Sequence, residues 1–342
     1  MTESHGQDRE STINPQAAEA VFFDRICRAR TAGGRIPMEA DIRRATPYVP
    51  TRVKSRFSPS EYLDPARACA PRDGWDPIDP HMSEILSGKF RATFIRSVAH
   101  RPSGRVLDIC CGPGWLALEL GRSGQTVEAY DLSPAALEMA QRMLDENPYR
   151  EGFGKVSYHL ADVSTVDLGS HNFDAVSGWS AFHHIPDLDV FVDRVWRALT
   201  PGGVIATLDD LPVGRMERFL GRLFKLLLPT WDRTYRDKVI YCFNLLRGRQ
   251  TLPSEIFSPM EIEKHDAVED ICRLWYEKFE VTVDVTFGAF SLQPAMHVAG
   301  PNWFRYGVAH LLVSLDRLLC KLHLCRGGYR VMIGRKRTSS PV

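Results

Sequence analysis

Two glycines, a series of spaced carboxylates and a pair of histidines carry the chemistry in this sequence. In Arg105-Val-Leu-Asp-Ile-Cys-Cys-Gly-Pro-Gly-Trp115, Val106 to Ile109 reads as an apolar strand. Gly112-Pro113-Gly114 reads as a tight turn, and a helix resumes from Leu116. Such a junction points backbone N–H groups and a helix N-terminus at a ligand. Glycine is required there because a Cβ would block close approach and because positive φ is cheap only without one. Gly112, Gly114 and Ala117 also fit the G-x-G-x-x-A spacing of dinucleotide-binding folds. Asp108 argues against that reading: its carboxylate, four residues before Gly112, would repel a pyrophosphate and welcome a cation.

Further acids fall at the ends of later apolar runs. Asp131 follows Gly114 by 17 positions, where a carboxylate can accept both hydroxyls of a nucleoside ribose. Asp162 ends a third run. His183 and His184 follow the fourth, and either imidazole could take a proton from a hydroxyl. Their plainer role is to pack or to cap the next helix, and the sequence does not say which of the two lies nearer a substrate. Asp209 and Asp210 read as a polar strand exit rather than as groups that orient a substrate or join a metal. Cys110 and Cys111 have no base nearby in sequence and read as small packing residues, not nucleophiles. Cys320, His323 and Cys325 lack a second ligand cluster, so no metal is expected.

Taken together, Asp108, Gly112, Gly114, Asp131 and Asp162 resemble the spaced motifs of class I S-adenosylmethionine (SAM) dependent methyltransferases. So do Phe173-Asp-Ala-Val176, the loop from Ser180 through His183-His184-Ile185, and Leu199-Thr-Pro-Gly-Gly203, in a form similar to the small-molecule and quinone-type branch. The resemblance covers about residues 85 to 210, and more loosely 258 to 337. It implies a Rossmann-like, doubly wound α/β fold, with a mostly parallel seven-stranded sheet, an antiparallel last strand and helical lid or cap insertions. It implies SAM as cofactor, with Asp131 on the ribose and Asp162 on the adenine, and it carries Cys110, Leu132, Val163 and Ser180 into the cofactor-binding set. It implies a small-molecule acceptor, with His183 or His184 as the base. O-methylation of a sugar or natural-product scaffold is the first expectation, and carbon or nitrogen methylation of a small or lipid-linked metabolite the variant. An NAD-dependent oxidoreductase and a non-catalytic scaffold of the same fold are the rivals.

The elements that must position these residues follow a strand–helix alternation. Strands are expected at Val106–Ile109, Thr126–Tyr130, Val156–Leu160, Phe173–Ser177 and Val204–Leu208. The intervening helices are expected at Trp115–Arg122, from Ser133-Pro134 to about Glu146, and at Leu188–Leu199 with Asp187 as its cap. Before them, Ala17–Arg30 has apolar residues at Val21, Phe22, Ile26 and Ala29. Met82–His100 carries Ile85, Leu86, Phe90, Phe94, Ile95 and Val98 on one side. After them come helices at Arg215–Leu228, Tyr235–Leu246, Ser258 to about Lys278 and Val308–Leu324, a loop at Pro294–Pro301, and strands at Glu280–Thr286 and Tyr329–Arg335. The chain therefore divides into an extension and possible lid (1–80), a core (81–210), a helical cap (211–257) and a completion of the core (258–342).

Composition sets the outer limits. The 342 residues are 44% hydrophobic, and 43 basic against 42 acidic residues leave net +1, which gives no global case for nucleic acid or membrane. The eight cysteines show no disulfide spacing and read as reduced thiols of a cytoplasmic protein. Met1–Gln16 lacks the apolar core of a signal peptide, and no run approaches the ~18 apolar residues of a membrane span. Local charge is uneven. Arg215–Arg249 has nine basic and three acidic residues, Trp303–Arg337 eight and one, and Glu255–Asp284 three and nine. A solvated basic face is the plain reading, and peripheral membrane contact is the weaker alternative. No aromatic-plus-basic module marks a nucleic-acid substrate, and the residues do not specify an oligomeric state.

Overall fold

A computed structural model describes residues 15–32, 80–145, 147, 151–211, 214–230, 234–246 and 267–337. The start of the helix expected from Ser258 and most of the 1–80 extension lie outside them. In chain order the elements are α1 (Pro15–Ala32), α2 (Pro80–Ser83), a π turn (Glu84–Gly88), α3 (Lys89–Val98), β1 (Arg105–Ile109) and α4 (Trp115–Arg122). There follow β2 (Thr126–Asp131), α5 (Pro134–Asp145), β3 (Lys155–Leu160), β4 (Phe173–Trp179), a 3₁₀ turn (Phe182–His184), α6 (Leu188–Ala198) and β5 (Leu199–Asp210). The chain continues with α7 (Arg215–Leu227), α8 (Tyr235–Leu246), α9 (Ala267–Lys278), β6 (Phe279–Phe287), α10 (Leu292–His297), α11 (Asn302–Lys321) and β7 (Tyr329–Lys336).

The seven strands form one sheet in the order β3-β2-β1-β4-β5-β7-β6. β1 to β5 pair in parallel, and β7 inserts antiparallel to both β5 and β6. This is the Rossmann-like doubly wound fold with its antiparallel last strand, as the sequence predicts. Strand order reverses between β1 and β4, and the crevice at such a switch point is where sheets of this kind take ligands.

Alternation along the strands divides the core between the two faces. Leu107, Ile109, Val176 and Ile205 pack with α6 and α9 around the fully buried Phe182 and Trp275, whose rings meet edge-on at 4.8 Å. Val106, Ala175, Val204 and Ile333 pack on the other face with Phe94 of α3 and Leu116 of α4. At the opposite end of the sheet from the glycine loop, Asp174 accepts the Arg105 amide at 3.0 Å and pairs with Arg101 and Thr200. That acid of the Phe-Asp-x-Val motif ties β4 to the chain entering β1.

Several elements differ from the sequence-based expectation. The helix expected over Met82–His100 is interrupted by the π turn, which seats Ile85 and Leu86 in the cap core while Phe94, Ile95 and Val98 face the sheet. β5 begins at Leu199, not Val204, because Leu199 already pairs with Phe173 across an irregularity. Asp187 holds the N-cap position of α6, but its backbone carbonyl rather than its side chain receives Phe191. The loop expected at Pro294–Pro301 contains α10. Pro294 sits in the first turn, where no intrahelical N–H partner is lost. α11 starts at Asn302, six residues before the expected Val308. Among the described side chains of α1, Glu19 and Cys27 are buried and Phe22 and Phe23 half-buried, whereas Val21 is 69% exposed.

Candidate functional site

The carboxyl ends of β1, β2, β3, β4 and β5 bring most of the expected residues together. Gly112 and Gly114 serve different ends. A Cβ built on Gly112, at φ +51°, would meet nothing within 4 Å, so its face is open to a ligand. At Gly114, φ +78°, a Cβ would fall 2.6 Å from both Ala140 Cβ and Tyr158 Oη, so close packing alone requires glycine. Cys110 and Ser180, where the chain leaves β1 and β4, are both non-glycine residues at positive φ, +48° and +51°. Such backbone is uncommon and clusters at ligand sites.

Strand register sets Asp108 beside Ser177, whose hydroxyl donates to Asp108 Oδ1 at 2.8 Å. Asp108 Oδ2 is buried without a hydrogen-bond partner. Burial lifts this carboxyl to about 7, against the pull of the Ser177 hydroxyl and with the Asp131 charge adding to the rise. Asp131 fastens the loop: its Oδ2 accepts the Gly112 amide at 2.7 Å and its Oδ1 the Ser133 amide at 2.8 Å. Burial raises its pKa, while those amides and the neighbouring His184 restrain the rise. Ser133 caps α5 as expected, its hydroxyl accepting the Ala136 amide at 3.1 Å.

Asp162 spends Oδ1 on its own turn, accepting Ser164 N at 2.8 Å and Ser164 Oγ at 2.6 Å. Leu132 is half-buried beside Asp131, and the Val163 side chain belongs to the core, which leaves only its backbone for a ligand. Cys110 senses the field of the whole loop. Burial pushes its thiol far above the ordinary range, and Asp131, Asp108, Asp162 and Asp209 all push further in the same direction. Four carboxylates from four strand ends thus converge on one loop.

The histidines have unequal partners. His183 is 8% exposed, and its Nδ1 lies 2.7 Å from Asp209 Oδ1. Asp209, 1% exposed, also accepts the Thr207 hydroxyl. The sequence-based reading of Asp209 and Asp210 as a polar strand exit is therefore corrected for Asp209. It points inward as half of a buried His–Asp pair, while Asp210 points outward as the strand period demands. His184 Nδ1 lies 2.7 Å from Glu19 Oε1, and its ring meets Phe23 edge-on at 5.6 Å. The two imidazoles themselves are 4.0 Å apart.

Sequence reasoning missed Glu19. Its signal is the Gln16-Glu19-Phe23-Cys27 stripe, which a search for apolar residues alone passes over. α1 lies over this edge of the sheet, held also by Asp24 Oδ1 accepting the Ala135 amide at 2.9 Å. Also missed was an aromatic wall beside the loop. Trp115 meets Trp179 edge-on at 4.9 Å, and Trp179 meets Phe94 at 5.3 Å. Among the described residues no group of three His, Cys, Asp or Glu could hold a metal ion.

Comparison with known proteins agrees with this geometry. Residues 106–203 match the family described as "Methyltransferase domain". A demethylmenaquinone methyltransferase of Desulfitobacterium hafniense (strain Y51) is 31% identical over 140 residues, which is 40% of this chain and 53% of that protein. A ubiquinone biosynthesis O-methyltransferase of Xanthomonas campestris pv. campestris (strain B100) is 29% identical over 191 residues, 55% of this chain and 77% of that one. The match thus spans about half the length of the first relative and three quarters of the second. Among solved structures, the [4+2]-cyclase SpnF is similar at a TM-score of 0.45 and 15% identity, covering 78% of this chain and 85% of that one. The glycine loop, the acids that surround it and the His183 turn all fall, except Asp209, within residues 106–203, the segment that matches the methyltransferase domain.

Proposed function

We propose that the protein transfers a methyl group from SAM to a hydroxyl of a small-molecule acceptor. One observation carries the choice of cofactor: Asp108, Asp131, Asp162 and Asp209 stand at the same carboxyl edge of the sheet as the glycine loop, with Asp131 Oδ2 on the Gly112 amide. Such a field opposes a pyrophosphate and favours a ligand with a sulfonium and an ammonium. The residues fit that ligand. The open face of Gly112 would admit its backbone-contacting part, the unpartnered Asp108 Oδ2 would accept from its ammonium, and Asp131 keeps lone pairs for ribose hydroxyls. Asp162 and the Val163 amide would face the adenine, and Cys110, Leu132 and Ser180 would line the remainder. When bound, SAM supplies an electrophilic methyl group for in-line displacement.

What the chain itself contributes is alignment and a base. Holding acceptor and donor in line is worth up to ~7–11 kcal/mol in favourable cases. The half-buried Trp115 and Trp179, backed by the core residue Phe94, favour an acceptor with an apolar or planar body, sugar or other natural-product scaffold alike. Asp209 takes the Nδ1 proton of His183 in a hydrogen bond, which fixes the tautomer with its basic lone pair on Nε2. His183 Nε2 would then hold the proton that the acceptor hydroxyl gives up, which readies the oxygen to displace the sulfur from the methyl group. His184, paired with Glu19 of α1, is the positioning member: it joins the covering helix to the site. The Asp209 partner supports His183 as the base, of the two candidates the sequence left open.

Calorimetric titration with S-adenosylhomocysteine, with NADH in parallel, tests the cofactor. Saturable binding of the former alone, lost in Asp131→Ala, is expected; binding of NADH alone would overturn the reading. For the base, His183→Ala and Asp209→Asn should each lower kcat by ~10²–10⁴ with the affinity for S-adenosylhomocysteine little changed. Wild-type turnover in both would remove His183 from the mechanism.

A further inference from the structure

Helices α7 and α11, which cap the β5–β7–β6 end of the molecule, turn apolar side chains outward. Trp303, Leu311 and Leu318 of α11, and Leu322 at its C-cap, share one face at 3.6 residues per turn, and they are 76%, 68%, 51% and 56% exposed. On α7, Met216, Phe219 and Leu227 are 53%, 61% and 60% exposed, although Leu220, Phe224 and Leu228 already supply that segment's contribution to the cap core. Scattered exposed leucines are ordinary, but a continuous helical stripe headed by a tryptophan is not.

The charge on these helices is of one sign at the surface. Glu217 and Asp316 are their only acids, and both are buried. Each is committed inside the protein: Glu217 Oε1 accepts the Arg326 amide at 2.7 Å, and Asp316 Oδ2 accepts the amides of Phe290 and Ser291 at 3.0 Å. Every exposed charge on α7 and α11 is therefore positive, including Arg215, Arg218, Arg222 and Lys321. The Glu217–Arg326 bond also ties the first turn of α7 to the loop after α11. Leu324, in that loop, is 61% exposed.

We propose that this face seats the protein peripherally on an anionic lipid bilayer, with Trp303 and the leucines at the headgroup–acyl boundary and the arginines and Lys321 against lipid phosphates. An apolar stripe combined with surface charge of one sign is the signature of a helix lying in that boundary, and tryptophan is the side chain enriched there. The proposal does not depend on which acceptor is methylated, because its readout is binding.

The test uses the full chain in co-sedimentation with vesicles of phosphatidylcholine alone or mixed with phosphatidylglycerol. Binding to the mixed vesicles only, and release by salt, is expected. A Leu311→Glu/Leu318→Glu variant should lose it, and an Arg222→Glu/Lys321→Glu variant should weaken it by about tenfold or more. Both variants should bind S-adenosylhomocysteine as the parent does, which reports that they are folded. No sedimentation, or equal sedimentation with both vesicle types, would overturn the proposal. So would a dimer that Leu311→Glu/Leu318→Glu converts to monomer without any lipid binding, which would make this face a contact between copies of the chain.

Discussion

Asp108 holds one oxygen against the Ser177 hydroxyl and keeps the other buried without a partner. Its pKa is about 7 in the folded chain, against an ordinary carboxyl value of 3.8 when unfolded. The folded state therefore keeps a proton that the unfolded state gives up. Stability from this group is complete below about pH 4 and is lost as pH rises through about 7. Asp108→Asn removes the charge and preserves the shape. The melting temperature of the ligand-free variant relative to the parent should thus rise between pH 5 and pH 8, as scanning fluorimetry can measure. The same substitution should weaken S-adenosylhomocysteine about 10- to 100-fold, because a charge-assisted hydrogen bond to the ligand's ammonium is worth about 1.5–3 kcal/mol. A melting difference that stays constant with pH would mean that Asp108 is not the buried titrating group. Much of this residue-scale site is written plainly in the sequence, because Asp108, Gly112, Gly114 and Asp131 sit where strands must end. The buried pairing of Asp209 with His183 is not legible there. Two adjacent acids at a strand exit look alike in sequence, and only strand pleating and the turn that delivers His183 separate the buried one from the exposed one.

At the scale of elements, α1 is the part whose sequence signal is least complete. A helix is expected from its spacing and is found, yet a polar residue, Glu19, belongs to the side that packs. Val21 stands in solvent while Glu19 goes inward to His184 and Phe23 packs on the same ring. A polar residue on the packed stripe of a covering helix makes that helix poorly anchored when its partner is lost, because a buried carboxylate then lacks compensation. The same pairing lets α1 cover the loop edge without being part of the core. Glu19→Gln keeps the length and loses the charge. Backbone hydrogen exchange over residues 15–32 should quicken in this variant while exchange over β1 and β4 holds, and S-adenosylhomocysteine should dissociate faster. Unchanged exchange in α1 would show that Phe23 and Cys27 hold the helix without the ion pair. The π turn before α3 and the short α10 escaped the sequence for a related reason: tertiary packing of Ile85 and Leu86 selects the first, and a first-turn proline disguises the second.

Across the whole molecule the sheet joins two halves with different duties. The parallel half, β3-β2-β1-β4-β5, carries the glycine loop, its carboxylates and His183, and the antiparallel β7 and β6 extend it under a cap built from α7, α10 and α11. The two halves meet at β5, which presents Asp209 to His183 on one side and pairs with β7 on the other. Cofactor binding should therefore be separable from acceptor binding by loosening the cap alone. Phe224 of α7 stacks on Phe290 with ring centroids 5.5 Å apart and interplanar angle 13°, a contact that clamps α7 to the segment after β6. Truncating this partly buried ring in Phe224→Ala should cost ~1–3 kcal/mol of stability, less than the ~3–5 typical of a fully buried phenylalanine. Calorimetry should still find S-adenosylhomocysteine bound with near-parental affinity, while steady-state kinetics show a raised KM for the acceptor. If cofactor affinity instead falls together with acceptor affinity, the cap and the glycine loop form one cooperative unit, and the division of labour along the sheet is wrong.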